Sequence, residues 1–264
     1  MLKSYNVTLK DWSLFEYISM QVRRDFNGSQ KEITTEITTA LDRIAKNSTI
    51  DAYKIEELWF PNVKCDIFIS HSHKDIVLAK KFARWIYDRF GLTSFIDSSV
   101  WNHSSSLIDE INKKYSLNEK GNYDYKKIIN VTNHVNTILI SAILKAIDSS
   151  KCVFFLNTPN SIGSAKDSTE QTTHSPWLYS ELMFTYIIDK NQKKKARDSV
   201  PKSPSHSVVE DLKMNFKLPT KHLENIDDGD LSTWEFEKDD YSNKEPLEIL
   251  FDIMQRKKHS EDFY

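Results

Sequence analysis

Cys65-Asp66-Ile67-Phe68-Ile69-Ser70-His71-Ser72-His73-Lys74-Asp75 passes abruptly from apolar to polar. Its first half is a short apolar run with β-branched members and no alternation, which predicts a strand buried on both faces, the kind found in parallel sheets. The helical pattern that follows, from Ile76 to Phe90, sets Ile76, Ala79, Phe82, Ala83, Ile86 and Phe90 on one face and ends at Gly91, a helix stop. Thr93-Ser94-Phe95-Ile96-Asp97 then reads as a second short strand ending in a carboxylate. Strand, helix, strand in this order predicts a right-handed parallel unit. Ligands of open α/β sheets collect beyond the carboxyl ends of the strands. The loop from Ser70 to Lys74, with its hydroxyls, imidazoles and ammonium, is therefore placed at a binding edge.

The rest of the composition narrows the class. A chain of 264 residues can build one large domain or two small ones. With 39% hydrophobic residues and a mean hydropathy of -0.54, it reads as a soluble globular protein. A formal net charge of -2 argues against a dedicated nucleic-acid binder. The two cysteines, Cys65 and Cys152, fall at the starts of predicted strands and lack zinc or CxxC spacing, so they read as core thiols. No disulfide framework, signal peptide or membrane span is legible, and the expected compartment is the cytoplasm. Five isolated glycines leave no GxGxxG and no GxxxxGK[ST], which disfavours both a Rossmann dinucleotide cradle and a P-loop.

Upstream, residues 1–61 read as a helical N-terminal extension. Trp12, Phe15, Ile18, Met20 and Val22 form a partly periodic apolar set, and Ile33, Ile37, Leu41 and Ile44 a cleaner one. A third short helix fits Ile50 to Leu58. This extension either packs on the main domain or offers a surface to a partner. Downstream, residues 62–258 read as the main domain. Ser98 to Thr132 looks like an insertion at the sheet edge, with one possible helix from Leu107 to Tyr115. A helical stripe returns from Val135 to Ile147. Lys151 to Asn157 is the clearest buried strand, and the loop from Thr158 to His174 has the length and polarity of a lid. Lys190 to Ser207 is a basic, then Pro/Ser-rich connector. Short strands fit Met214 to Leu218 and His222 to Ile226, and a last helix follows Asn243.

The helix from Pro176 to about Asp189 carries the chemistry. Ser175 suits its N-cap and Pro176 its first position. It is apolar nearly all round, interrupted by one acid, Glu181, a turn beyond Trp177 on the same face. Such a carboxylate must reach solvent, find a partner, or accept a perturbed pKa.

These pieces resemble a known family. Asp66-Ile67-Phe68-Ile69-Ser70-His71-Ser72 is similar to the first strand of Toll/interleukin-1 receptor (TIR) domains. Ala142 to Ser161, followed by Ser175-Pro176-Trp177-Leu178-Tyr179-Ser180-Glu181-Leu182, resembles that family's third strand and the helix after it. The resemblance implies a flavodoxin-like, doubly wound parallel sheet of about five strands. It also implies an NAD+ glycohydrolase of the bacterial type, used in antiphage signalling, that releases nicotinamide and leaves ADP-ribose or a cyclic isomer. NAD+ is then a substrate, and no cofactor or metal is implied. Glu181 matches the catalytic acid of the Trp-x-x-x-Glu element and Trp177 the aromatic beside it. Ser72 and His73 after the first strand, with Asp97 and Trp101 after the second, match the walls that hold the nicotinamide riboside and the adenine. Assembly through TIR–TIR contacts, as a homo-oligomer or with an activator or effector protein, is also implied. The extension, the insertion near 98–132 and the lid near 158–174 depart from the bare domain.

The implied chemistry is coherent. Cleaving the nicotinamide–ribose bond passes through an oxocarbenium-like state, which one adjacent carboxylate can stabilise. Nicotinamide leaves a pyridinium as a neutral molecule, so no general acid is needed. The competing reading is a non-catalytic TIR–TIR adaptor, which has no evident need for Glu181. A phosphotransfer receiver is disfavoured because the strand at Cys152 ends in Asn157 rather than an aspartate.

Overall fold

The computed structural model describes residues 2–15, 51–60, 64–96, 98–164, 171–192, 215–240 and 243–261. In chain order the strands are β1 (Lys3–Val7), β2 (Ile67–Ser70), β3 (Ser94–Ile96), β4 (Cys152–Leu156), β5 (Gly163–Ser164), β6 (Gln171–Thr173), β7 (Phe216–Lys217) and β8 (Glu224–Ile226). The helices are α1 (Ala52–Trp59), α2 (Ile76–Phe90), α3 (Ser98–Tyr115), α4 (Tyr125–Ser149), α5 (Pro176–Gln192), α6 (Asp228–Asp240) and α7 (Pro246–Glu261). Short 3₁₀ turns occupy Trp12–Phe15 and His73–Asp75.

Five strands form one sheet in the order β3-β2-β4-β1-β8, and all four pairings are parallel. The fold is thus α/β, a parallel sheet flanked by helices, and is compatible with a flavodoxin-like arrangement. Every residue of β2 and β4 is buried, which explains their unbroken apolar runs. On one face Tyr5, Val7, Ile67, Ile69, Cys152, Phe154 and Ile226 meet the apolar sides of α2, α6 and α7. On the other, Phe68 and Val153 meet α1, α3 and α4, while Phe155 meets Leu178 and Leu182 of α5. Both cysteines are free and buried, and burial pushes both thiols above their ordinary pKa.

The extension is not helical where it is described near its start. Lys3–Val7 is a strand of the sheet itself, set between β4 and β8 with Tyr5 opposite Phe154 and Glu224. Tyr5 and Val7 face the first core and are fully buried, whereas Asn6 points to the opposite face and bonds Asn225 (2.8 Å). Only Tyr5 and Val7 of its five residues are large and apolar, too weak a pattern to announce a central strand. The boundary at residue 61 accordingly does not separate the sheet from an appendage. Ala52–Trp59 is the expected third helix, capped by Asp51. Residues 16–50, which hold the Ile33 to Ile44 stripe, lie outside the described residues.

In residues 98–132 the helix expected from Leu107 to Tyr115 is present and starts earlier, at Ser98. The segment forms α3 and the first turns of α4, joined by a loop over 116–124 that Leu117 and Tyr123 bridge, and the two helices share a core with Leu107, Ile111, Val135 and Ile138. α4 begins ten residues before the apolar stripe starts, because Asp124 caps it by accepting from the Lys126 and Lys127 amides. That first stretch is largely solvent-facing, so periodicity had little to report. Among residues 158–174, the described parts are an ordered turn and two strands, β5 and β6, which pair antiparallel with each other and with β7. The helix α6 had no counterpart in the expectations.

Candidate functional site

β2 ends at Ser70, and its neighbour β4 ends one residue past Phe155, the partner of Ser70 in register. α5 lies over this carboxyl edge, seated by Leu178 and Leu182 on Phe155. Ser175 supplies the N-cap contact, its hydroxyl accepting from the Leu178 amide (3.3 Å). A turn into the helix, Glu181 turns inward to the sheet, where its Oε2 accepts a hydrogen bond of 2.5 Å from the Ser70 hydroxyl. Glu181 is 1% exposed. Of the outcomes open to this carboxylate, the structure shows a partner within the fold rather than an exit to solvent. A substrate can touch it only if neighbouring groups move aside.

Trp177 lies one turn earlier on α5 and is half-buried, packed against the cluster that holds Phe68 and, at its margin, Phe95 of β3. That cluster also takes in Val153 of β4 and the apolar sides of α1, α3 and α4. Ser72 is buried, and its hydroxyl accepts from the Lys74 amide (3.4 Å) as the N-cap of the 3₁₀ turn. His73, next to it, is exposed. Trp101 belongs to α3, close behind the end of β3. Asp97 lies outside the described residues. The structure thus brings Glu181, Ser70 and the loop of Ser72 and His73 to one edge, with Trp177 alongside.

The chain matches no family model, no curated protein and no solved structure. Its site is described by its own geometry alone.

That geometry contains a second carboxylate the sequence reading assigned no role. Asp75 closes the 3₁₀ turn after β2 and is buried. Its Oδ2 accepts from the Thr158 hydroxyl (2.5 Å) and its Oδ1 from the Asn160 side-chain amide (2.7 Å), both in the loop after β4. Ser161 tightens that loop, accepting from the Thr158 amide (2.8 Å) and donating to the Thr158 carbonyl (2.9 Å). Asp75 stood at the end of the polar loop, and Thr158 and Asn160 just past the clearest strand. Adjacency of the two strand ends would have paired them, but strand order is not written in local sequence.

Among the described residues, no group of three or more His, Cys, Asp or Glu side chains is placed to hold a metal ion. No described helix is long and apolar enough to cross a membrane.

Proposed function

We propose that this protein is a TIR-type NAD+ glycohydrolase with a flavodoxin-like sheet, in which Glu181 is the catalytic carboxylate. The observation that carries the reading is the position of Glu181: on α5, a turn from Trp177, bonded to the last residue of a central strand at the sheet's carboxyl edge. That edge is where ligands of open α/β sheets bind. In the reaction, the bond between ribose C1′ and the nicotinamide nitrogen breaks, and its electron pair leaves with the nicotinamide. The positive charge moves to the ribose, where the Glu181 carboxylate stabilises it. Water then adds at C1′ and releases a proton, giving ADP-ribose; attack by a nucleophile on the adenosine half gives a cyclic isomer instead. Trp177, Ser72, His73, Asp97 and Trp101 are the proposed contacts for the substrate. Cytoplasmic antiphage signalling through homo-oligomers is the setting this reading brings with it. Since Glu181 is buried, the reading also requires that substrate binding or assembly open a path to it.

One observation favours a different account. The Ser70 bond ties α5 to β2 whether or not a substrate exists, so the acid has a structural use that an interaction module would share. Incubation of the protein with NAD+, with products resolved by chromatography, separates the two. Glycohydrolase activity predicts nicotinamide release by the wild type and its loss, by about a thousandfold or more, in Glu181→Gln with the circular dichroism spectrum retained. Equal turnover by wild type and Glu181→Gln would remove Glu181 from the mechanism.

A further inference from the structure

The loop after β2 is stitched at both ends. At Ser70 it is bonded to α5 through Glu181. Five residues on, Asp75 holds the loop after β4 through Thr158 and Asn160, residues more distant in sequence than any local turn could bring together. Each Asp75 oxygen has its own donor from that loop. Thr158 Oγ1 also accepts from the Asn160 backbone amide (3.2 Å), so the two donors are themselves linked. The carboxylate thus stands where a side chain can fix the spacing between the crests of two neighbouring central strands.

We propose that Asp75 is a positioning residue, a latch that sets the loop after β4 against the Ser72–His73 loop so that both present one wall to the NAD+ substrate. The inference rests on the glycohydrolase reading above, but its mechanical half stands on geometry alone. Asp75 touches no reacting atom in this account. It acts through Thr158 and Asn160, and its loss therefore shows in substrate capture rather than in bond breaking.

Three full-length variants test it: Asp75→Asn, Thr158→Val and Asn160→Ala, with the Asp75→Asn/Thr158→Val pair. Hydrogen exchange reads the latch directly. The amides of Asn160, Ser161 and Ile162 are held within the loop by Thr158, and in Asp75→Asn they should exchange about tenfold faster while those of β4 stay protected. In steady-state kinetics KM for NAD+ should rise about tenfold in Asp75→Asn and in Thr158→Val, with kcat changed less than about twofold. Because both substitutions break the Asp75–Thr158 bond, their effects on KM should be clearly less than additive in the double variant. Unchanged exchange in Asp75→Asn overturns the latch. Faster exchange with unchanged KM overturns its role toward substrate. A wild-type protein that releases no nicotinamide sinks the glycohydrolase reading, and the substrate half of this inference with it, while exchange still judges the latch.

Discussion

Asp66, just before β2, shows how a single side chain sets the sheet's start. Burial raises its pKa, but the Thr93 amide (2.9 Å), the Thr93 hydroxyl (2.9 Å) and the Lys151 ammonium (3.1 Å) outweigh it and hold the carboxyl below the ordinary range. A carboxyl depressed in the folded state stabilises the protein fully above its unfolded pKa, and that contribution is lost as pH falls through the folded value. In Asp66→Asn, the melting temperature should therefore lie below that of the wild type at neutral pH. The gap should close below about pH 4, the ordinary aspartate value. Thermal melts between pH 7 and pH 3 check this; a gap that widens in acid would reverse the assignment. At this scale the sequence spoke unevenly. Glu181 was legible because a lone acid on an apolar helix is conspicuous. Its partner Ser70 was not, since a hydroxyl at a strand end carries no sign of which helix will cross above it. Asp75 was in plain view and still unreadable for the same reason.

Elements that bury a continuous stripe announced themselves; those held by one anchor did not. α2 ends where Gly91 adopts φ +68, its amide returning to the Tyr87 carbonyl (2.9 Å), as the glycine in the sequence foretold. α6 gave no such sign. Its sequence, Asp228-Gly229-Asp230-Leu231-Ser232-Thr233-Trp234, is acidic and contains a glycine, and little of it is apolar. It forms because Asp227 and Asp230 exchange amide bonds at its start (2.9 and 3.1 Å) and because Lys257 of α7 reaches Asp230 (2.6 Å). Trp234 then anchors it. That ring is fully buried, stacks on Phe90 with centroids 3.7 Å apart, and donates its Nε1 hydrogen to the Pro246 carbonyl (2.7 Å). Trp234→Ala should cost about 3–5 kcal/mol of unfolding free energy, measurable by denaturant titration, because little nearby can collapse into the space. A cost below about 1 kcal/mol would mean that α6 is not seated by this residue.

At the scale of the molecule, the main surprise lies in the sheet order. Four strands fall in the places a flavodoxin-like reading assigns, with β2 and β4 central and β3 and β8 at the edges. The remaining place, between β4 and β8, is taken by β1 from the far end of the chain rather than by a strand following α5. The parallel α/β class followed from β2, α2, β3 and β4, each of which has a local pattern. The identity of the fourth neighbour is a long-range fact that no window of sequence contains. It has a direct consequence for stability. Within the sheet β8 pairs with β1 alone, and Tyr5 and Val7 fill the first core. A chain lacking residues 1–9 should lose cooperative thermal unfolding and become protease-sensitive between β4 and α7. A sharp melt within a few degrees of the full-length protein would show that β1 is dispensable.

The same placement governs the order in which the chain can finish folding during synthesis. Lys3–Val7 is translated far ahead of both strands it must lie between. Once Leu156 has emerged from the exit tunnel a nascent chain can assemble β3, β2, β4 and β1, but until Ile226 follows, the far side of β1 stays an open hydrogen-bonding edge. A strand made before both of its neighbours is thus the last inner strand of the sheet to be enclosed, and in the interval that edge is exposed to whatever other strand, or chaperone, is nearby.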